Sequence, residues 1–155
     1  MRSLDDKARQ YALKLLSYRG RSVRELEERL RRKGFPDHVV SSTMRHLKHT
    51  GLLDDKALAE ALKREAMSTK FLSQYGARKF MFARGISREI VDSVFSPDEN
   101  DDTKNASRLI DKKLRIIENL PAEKIKRRLY NLLLRKGYSF ETIKSVLKKR
   151  NFKED

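Results

Sequence analysis

Three glycines divide this sequence at an almost constant interval. Gly34, Gly85 and Gly137 are separated by 51 and 52 residues, and each follows a stretch with helical character. A fixed period of this length is typical of a repeated structural unit. Because glycine adopts the left-handed conformation without strain, we expect each of the three to end a helix. The sequence therefore predicts three repeats.

The residues on both sides of each glycine repeat the pattern of a one-sided helix. Apolar residues stand four and eight positions before it and six and ten positions after it. This spacing is typical of helices buried along one face. The positions before the glycines are Leu26 and Leu30, Ala77 and Met81, Leu129 and Leu133; those after them are Val40 and Met44, Val91 and Phe95, Ile143 and Leu147. Each glycine is thus predicted to join two half-buried helices.

Capping residues mark the predicted helix starts. Two residues after the glycines stand Pro36, Ser87 and Ser139, which are suited to N-cap or N1 positions. Ser22 and Glu25 have the spacing of a capping box.

Each repeat also has an opening helix. Aspartate pairs stand at these helix starts, where carboxylates cap free N–H groups and complement the helix dipole. The pairs are Asp5-Asp6, Asp54-Asp55 and Asp101-Asp102. In the third repeat, Pro121 is expected at N1 of the second helix. Each repeat is therefore predicted to run helix, helix, glycine turn, helix.

No segment shows sustained alternation of β-branched residues, so the predicted fold class is all-α. We expect three tandem three-helix, helix-turn-helix-like repeats, at residues 1–51, 52–97 and 98–155, in a curved, elongated molecule. The first junction is short, whereas residues 96–101 are polar, acidic and interrupted by Pro97. Bending is therefore expected between the second and third repeats.

The charge balance narrows the choice of partner. The chain has 37 Lys+Arg against 22 Asp+Glu, a net charge of +15. A small domain needs a net charge of magnitude only ~2 to 8 to be soluble. The larger charge favours a polyanionic partner, which releases counterions for each phosphate that Lys or Arg neutralises. Cysteine is absent, which excludes disulfides and thiolate metal sites and favours the cytoplasm. We expect no secretory signal after Met1 and no membrane span, which needs ~20 apolar residues.

The basic charge is concentrated in the first and third repeats, whose nets are +7 and +6 against +2 for the second. On the second helix of each end repeat, basic residues are predicted to point away from the buried stripe and to bind phosphates. Ordinary solvation of a helix face is the competing interpretation for any one of them. The candidate nucleic-acid-binding residues are Arg24, Arg31, Arg32, Lys124, Arg127 and Arg135.

The second repeat has aromatic residues at the matching outward positions. Tyr75, Lys79 and Phe82 are predicted to point away from the buried stripe and to contact a partner. Base stacking on such rings and packing in the core are the alternatives. For Phe71 and Phe80, core packing is favoured.

The sequence gives little sign of catalysis. His46 and His49 stand three residues apart with no third ligand at a metal-binding spacing, and no phosphate loop or catalytic triad is present. We therefore expect no enzyme activity, no metal and no cofactor.

Several of these motifs together resemble the RecX family of regulators of the RecA recombinase. They are the run Ser22–Phe35, Gly51–Asp55 followed by Ala59-Glu60, Tyr75-Gly76 and Ala83–Ser87. The resemblance covers about residues 8 to 95, and the third repeat matches by its repeat form. Leu58 and Ala77 stand where the family usually has Phe and Pro.

The resemblance implies a curved protein of three tandem three-helix units lying along the groove of the RecA nucleoprotein filament. It implies inhibition of ATP hydrolysis and strand exchange through contact with RecA and DNA. The expected partners are the RecA filament, single-stranded DNA and, secondarily, double-stranded DNA; we expect a monomer and no membrane partner. Two alternatives stay open: a sequence-independent nucleic-acid-binding protein without a RecA target, and a basic protein bound to membrane surfaces.

Overall fold

All regular structure in the part of the chain that we describe is helical, which confirms the predicted all-α class. The computed structural model describes residues 3–96, 102–150 and 152. A π-helical turn, Glu65–Thr69, extends the fourth helix. The helices are α1 (Leu4–Tyr18), α2 (Val23–Lys33), α3 (Asp37–His49), α4 (Asp55–Arg64), α5 (Gln74–Ala83), α6 (Arg88–Val94), α7 (Asp102–Ile117), α8 (Ala122–Arg135) and α9 (Phe140–Lys148).

The three periodic glycines end α2, α5 and α8 as predicted. Gly34, Gly85 and Gly137 have φ angles of 104°, 85° and 91°, in the left-handed region that glycine adopts without strain. After α2, the N–H of Gly34 donates to the carbonyl of Arg31, and the N–H of Phe35 donates to the carbonyl of Leu30. These bonds satisfy carbonyls that the helix end leaves free.

The predicted stripes form the interior. Every apolar residue named at the four periodic positions is buried except Leu147, which is half-buried. The all-α class and the three-helix repeats follow from these stripes because each helix must cover its apolar face with a neighbour.

The predicted caps are largely confirmed. Ser22 and Glu25 form a complete capping box, with the N–H of Glu25 3.1 Å from Ser22 Oγ and the N–H of Ser22 3.0 Å from Glu25 Oε1. Ser87 and Ser139 are the N-caps of α6 and α9. Asp54 accepts from two N–H groups of the first turn of α4, at 3.1 and 3.2 Å.

Two cap predictions need correction. Pro121 is the N-cap of α8 instead of its N1 residue, because its backbone is extended and its carbonyl accepts the first helical hydrogen bond from Ile125. In α1, Asp5 and Asp6 lie inside the first turn, and Ser3 caps the helix through the N–H of Asp6.

The described helices group into two compact units. The first comprises Met1–Ala61 and Met81–Phe95, and the second comprises Leu62–Phe80 and Ser96–Asp155. In the first, α1, α2 and α3 pack on one another around Leu26, Leu30 and Leu47. In the second, α7, α8 and α9 pack around Leu129, Leu133 and Ile143, among others. The segment 52–97 contributes to both units, and the boundaries of the three repeats stay a prediction.

Each unit contains one glycine pressed against a serine that caps an earlier helix. In the first unit, a Cβ on Gly85 would lie 2.6 Å from Ser22 Oγ; in the second, a Cβ on Gly137 would lie 2.7 Å from Ser73 Oγ. A Cβ on Gly34 would meet nothing within 4 Å. Gly85 and Gly137 are therefore required by close contact as well as by their φ angles.

In both units an aspartate also accepts a hydrogen bond from the start of an earlier helix. Asp55 Oδ1 accepts from the N–H of Val23 at 2.9 Å, and Asp102 Oδ1 accepts from the N–H of Gln74 at 2.9 Å. Each carboxylate thus satisfies the first N–H group of a different helix, α2 or α5. The sequence predicts these aspartates as caps of their own helices and gives no sign of this contact.

The start of α7 is fixed by buried hydrogen bonds. Asn105 is buried and donates to the carbonyl of Leu72 and to the hydroxyl of Tyr138, both at 3.1 Å. Tyr138 in turn donates to the carbonyl of Phe71 at 2.7 Å, and burial raises the pKa of its phenol.

Most of the segment in which bending was predicted, residues 97–101, lies outside the described residues.

Candidate nucleic-acid and partner surfaces

The basic residues predicted on α2 are exposed, but they differ in their partners. Arg24, Arg31 and Arg32 all face solvent. Arg31 lies 3.8 Å from a carboxylate oxygen of Glu27 and 3.5 Å from one of Asp37. A phosphate bound to Arg31 would displace these carboxylates, and because exposed ion pairs are worth ~0 to 1 kcal/mol, the loss is small. Arg31 is therefore a slightly weaker phosphate ligand than its exposure alone indicates.

Arg24 of α2 also has interaction partners within the protein. Arg24 lies 4.0 Å from Glu28 Oε1, and its Nη2 donates to the carbonyl of Phe82 at 3.5 Å. In total, α2 has five basic and three acidic residues. Its positive surface is thus partly neutralised within the helix itself.

The basic residues predicted on α8 are also exposed, and their helix is more strongly positive. Lys124, Arg127 and Arg135 face solvent. This helix has five basic residues and a single acidic one, Glu123. Because Glu123 lies in the first turn, it complements the helix dipole there. Of the two basic helices, α8 is the better surface for a polyanion.

The three residues predicted to contact a partner share one exposed face of α5. Tyr75 is 63% exposed and Phe82 is 39% exposed, and their spacing with Lys79 places all three on one side of the helix. The Lys79 ammonium lies 5.3 Å from the centre of the Tyr75 ring. Phe71 and Phe80 are half-buried. The exposure of the three side chains is as predicted, and their role stays a prediction.

A cluster of arginines around Glu25 was not anticipated from the sequence. Arg84 Nε lies 3.0 Å from Glu25 Oε2, and Arg84 Nη2 donates to the carbonyl of Gly20 at 2.7 Å. Arg19 lies 3.4 Å from the same carboxylate oxygen. The only sequence signal was the position of Arg84 directly before its glycine, where the other repeats have Lys33 and Lys136.

The pKa values in this cluster follow from burial and charge. Burial alone would raise the pKa of Glu25, but hydrogen bonds from Arg84 and from the Ser22 backbone hold it below its usual value. Burial, with the charges of Arg19 and Arg29, lowers the pKa of Arg21. In this cluster the guanidinium groups of Arg19, Arg21 and Arg84 surround the single carboxylate of Glu25. The excess of arginine adds to the positive charge of the first unit.

The described residues contain neither a metal-binding cluster nor a membrane-spanning helix. Among residues 3–96, 102–150 and 152, no group of three or more His, Cys, Asp or Glu side chains is placed to hold a metal ion. His46 and His49 are exposed on α3. Over the same residues, no helix has the length and apolar character needed to cross a bilayer.

Two family models match the sequence. The first three-helix domain of RecX matches residues 8–47, and the third three-helix domain of RecX matches residues 100–147. The regulatory protein RecX of Mycobacterium avium is 30% identical over 140 residues, covering 88% of this chain and 80% of the relative. That of Streptomyces coelicolor is 29% identical over 135 residues, covering 86% of this chain and 72% of the relative.

Two solved structures have a similar fold. RecX from Lactobacillus salivarius superposes with a TM-score of 0.75 at 22% identity, over 94% of this chain and 96% of the other. A second regulatory protein RecX gives a TM-score of 0.70 at 23% identity, over 95% of this chain and 72% of the other. The all-helical fold is therefore shared with these proteins.

Proposed function

The chain belongs to the RecX family of regulatory proteins, and from this membership we propose that it binds the RecA nucleoprotein filament and inhibits ATP hydrolysis and strand exchange. DNA binding is an accessory activity in this proposal. The observation that carries it is the presence of two chemically different exposed surfaces, basic on α2 and α8 and aromatic on α5.

The two surfaces suit two kinds of partner. A phosphate backbone is recognised by charge, and its contacts with Lys and Arg position a protein without reading sequence. A protein interface instead depends on a few buried anchors, in which Tyr, Trp and Arg are enriched. We therefore assign the exposed rings of Tyr75 and Phe82 to RecA and the basic helices to DNA. The protein acts in the cytoplasm as a monomer, without a catalytic centre or cofactor.

The test compares variants of the two surfaces. We expect Tyr75→Ala with Phe82→Ala to raise the concentration needed for half-inhibition of the RecA ATPase at least 30-fold, since loss of an anchor costs ~2 kcal/mol or more. DNA affinity should change less than threefold. The matched control is Tyr18→Ala, which removes another exposed ring, 72% accessible, from α1. Folded double variants that inhibit RecA normally would place the recognition surface elsewhere.

A second candidate function is sequence-independent nucleic-acid binding without a RecA target. The strong positive charge of α8 favours it, because this helix could hold a phosphate backbone by itself. The discriminating measurement is inhibition of an unrelated DNA-dependent ATPase. Equal inhibition of that enzyme and of RecA would support the second function; selective inhibition of RecA would support the first.

A further inference from the structure

A cavity of ≈ 600 Å³ lies against α8 and α9 in the second compact unit. Tyr130 of α8, Phe140 of α9 and Phe152 line it. Small-molecule sites have volumes of ~300 to 1,000 Å³ and apolar walls with a few polar groups. The cavity is therefore large enough for a nucleotide.

The rings leave flat apolar surface open to a ligand. Tyr130 and Phe140 form an edge-to-face pair, with centroids 6.4 Å apart and an interplanar angle of 78°. In this geometry the rings do not cover one another's faces fully. Phe140 is 60% exposed although it lies at the start of a helix in which Ile143 and Val146 are buried. An exposed ring at this position contributes little to the core.

Four cationic side chains line the cavity. Lys126, Lys144 and Lys148 line it together with Arg150, and among the residues that the structure describes no carboxylate lines it. Arg150 is held by an ion pair with Asp111 and donates to the carbonyl of Ser107 at 3.3 Å. Lys126 Nζ lies 5.8 Å from the centre of the Phe152 ring, and Lys144 and Lys148 are exposed, so three ammonium groups border the aromatic walls.

The first repeat shows that the fold does not require these rings. Aligned on the periodic glycines, Tyr130 corresponds to Glu27 and Phe140 corresponds to Asp37. In the first repeat those two carboxylates pair with Arg31. The same helices thus form with acidic residues at both positions. Tyr130 packs in part against the core of the second unit, whereas the exposed ring of Phe140 calls for an explanation other than folding.

We propose that this cavity holds one unstacked base of a single-stranded nucleic acid, with the neighbouring phosphates on Lys126, Lys144 and Lys148. Bases stack on aromatic side chains in single-strand binding proteins, where cationic grooves follow the backbone. An acidic peptide is the competing ligand. A base is favoured because flat rings surrounded by ammonium groups match its faces and its flanking phosphates together. The inference rests on the DNA binding of the proposed function and adds a second site to it.

The experiment uses the full chain and single-stranded oligonucleotides of equal length at fixed salt. One carries a single 2-aminopurine, whose fluorescence is quenched by stacking, and another carries abasic sites. We expect quenching on binding, and a loss of about 5- to 150-fold in affinity for the abasic strand, from ~1 to 3 kcal/mol per stacked base. Phe140→Ala should abolish the quenching and bind both strands equally. Tyr18→Ala should retain the difference.

A charge variant provides a second readout that does not depend on the ring. Lys148→Gln should weaken binding and lower the salt slope by about 1, as expected for one lost phosphate contact. Lys149→Gln is the matched control, because Lys149 is exposed beside it but does not line the cavity. Equal effects of the two substitutions would overturn the assignment of phosphates to the cavity.

Three further outcomes would contradict the proposal in different ways. Equal affinity of the wild type for normal and abasic strands would overturn the base site and leave the DNA binding of the proposed function intact. Failure of any strand to bind at low salt would overturn both. If Phe140→Ala instead abolishes binding of a poly(Glu,Tyr) peptide and leaves the oligonucleotides unaffected, the cavity is a peptide site.

Discussion

The first and third repeats carry different surfaces at the same three positions around their glycine turns. In the first repeat, Arg31 pairs with Glu27 and Asp37. In the third repeat, the corresponding residues are Leu134, Tyr130 and Phe140. Leu134 and Phe140 are both exposed there, and Tyr130 is half-buried. One repeat thus presents an ion-pair network where the other presents apolar side chains.

The interior of the two repeats, in contrast, is the same. Leu26 and Leu30 correspond to Leu129 and Leu133, and all four are fully buried. The buried stripe is required for helix packing, whereas an outward position can change without affecting the core. We infer that the repeats diverged in function at outward positions.

The largest expected effect is that of salt on DNA binding. If the basic helices neutralise six to ten phosphates, affinity should fall ~10³- to 10⁵-fold between 50 and 200 mM salt. Replacing Arg127 and Arg135 with Ala should lower the salt slope by about 2. Replacing Arg24 and Arg31 should lower it less, because nearby carboxylates already compensate these two charges. Equal slopes for the two double variants, measured by fluorescence anisotropy, would remove the contrast between α8 and α2.

The next largest effect is the difference in stability loss between two glycine-to-alanine substitutions. Gly137→Ala should destabilise the protein by about 3 kcal/mol, because the new Cβ would meet Ser73 Oγ in addition to requiring a strained φ angle. Gly34→Ala should cost only the backbone strain, about 1 kcal/mol, since the space around it is open. Urea unfolding measures both. Equal losses of stability would show that conformation alone selects these glycines.

A smaller effect is expected for the residue before each glycine. Arg84→Ala should lower the free energy of unfolding by about 2 kcal/mol, because it removes the charged hydrogen bond that Arg84 donates to Glu25. Lys136→Ala should cost less than about 0.5 kcal/mol, because Lys136 contributes its backbone carbonyl, which accepts from the N–H of Ser73 at 3.0 Å. Comparable losses in urea unfolding would contradict this difference in roles.

The same carboxylate predicts a pH dependence. Since the pKa of Glu25 is lowered on folding, its ionisation stabilises the native state above its unfolded pKa of about 4.3. That contribution is lost as pH falls through the lower, folded pKa. Asp55 has the opposite sign, because burial raises its pKa. Urea unfolding between pH 6 and pH 3 should therefore show an acid loss in the wild type that is smaller in Arg84→Ala; an unchanged profile would contradict the pairing.

Most of the fold could be predicted from the sequence because its signals are local. Stripes such as Leu26 and Leu30, and caps such as Ser22 with Glu25, involve residues within one helix or one turn. The exposure of Tyr75 and Phe82 followed from the same helical geometry. Helix spacing could not, however, assign a partner to any exposed residue.

The contacts that were missed join residues far apart in the chain. Glu25 and Arg84 are separated by 59 residues and Ser73 and Gly137 by 64, and no local pattern pairs them. Phe71 has a φ angle of 55°, which propensity disfavours for a bulky residue. The cavity beside α9 had a signal in the sequence: Tyr130 and Phe140 flank the same glycine where the first repeat has acidic residues.

Co-sedimentation tests the central claim most directly. The full chain is spun with RecA filaments assembled on single-stranded DNA and, separately, with the same amount of naked DNA at equal salt. If the protein recognises the filament through its aromatic surface as well as through charge, we expect it to sediment with filaments at a concentration at least tenfold lower than with naked DNA. Equal or tighter binding to the naked DNA would contradict the account, because the protein would then be a nucleic-acid-binding protein without a RecA target.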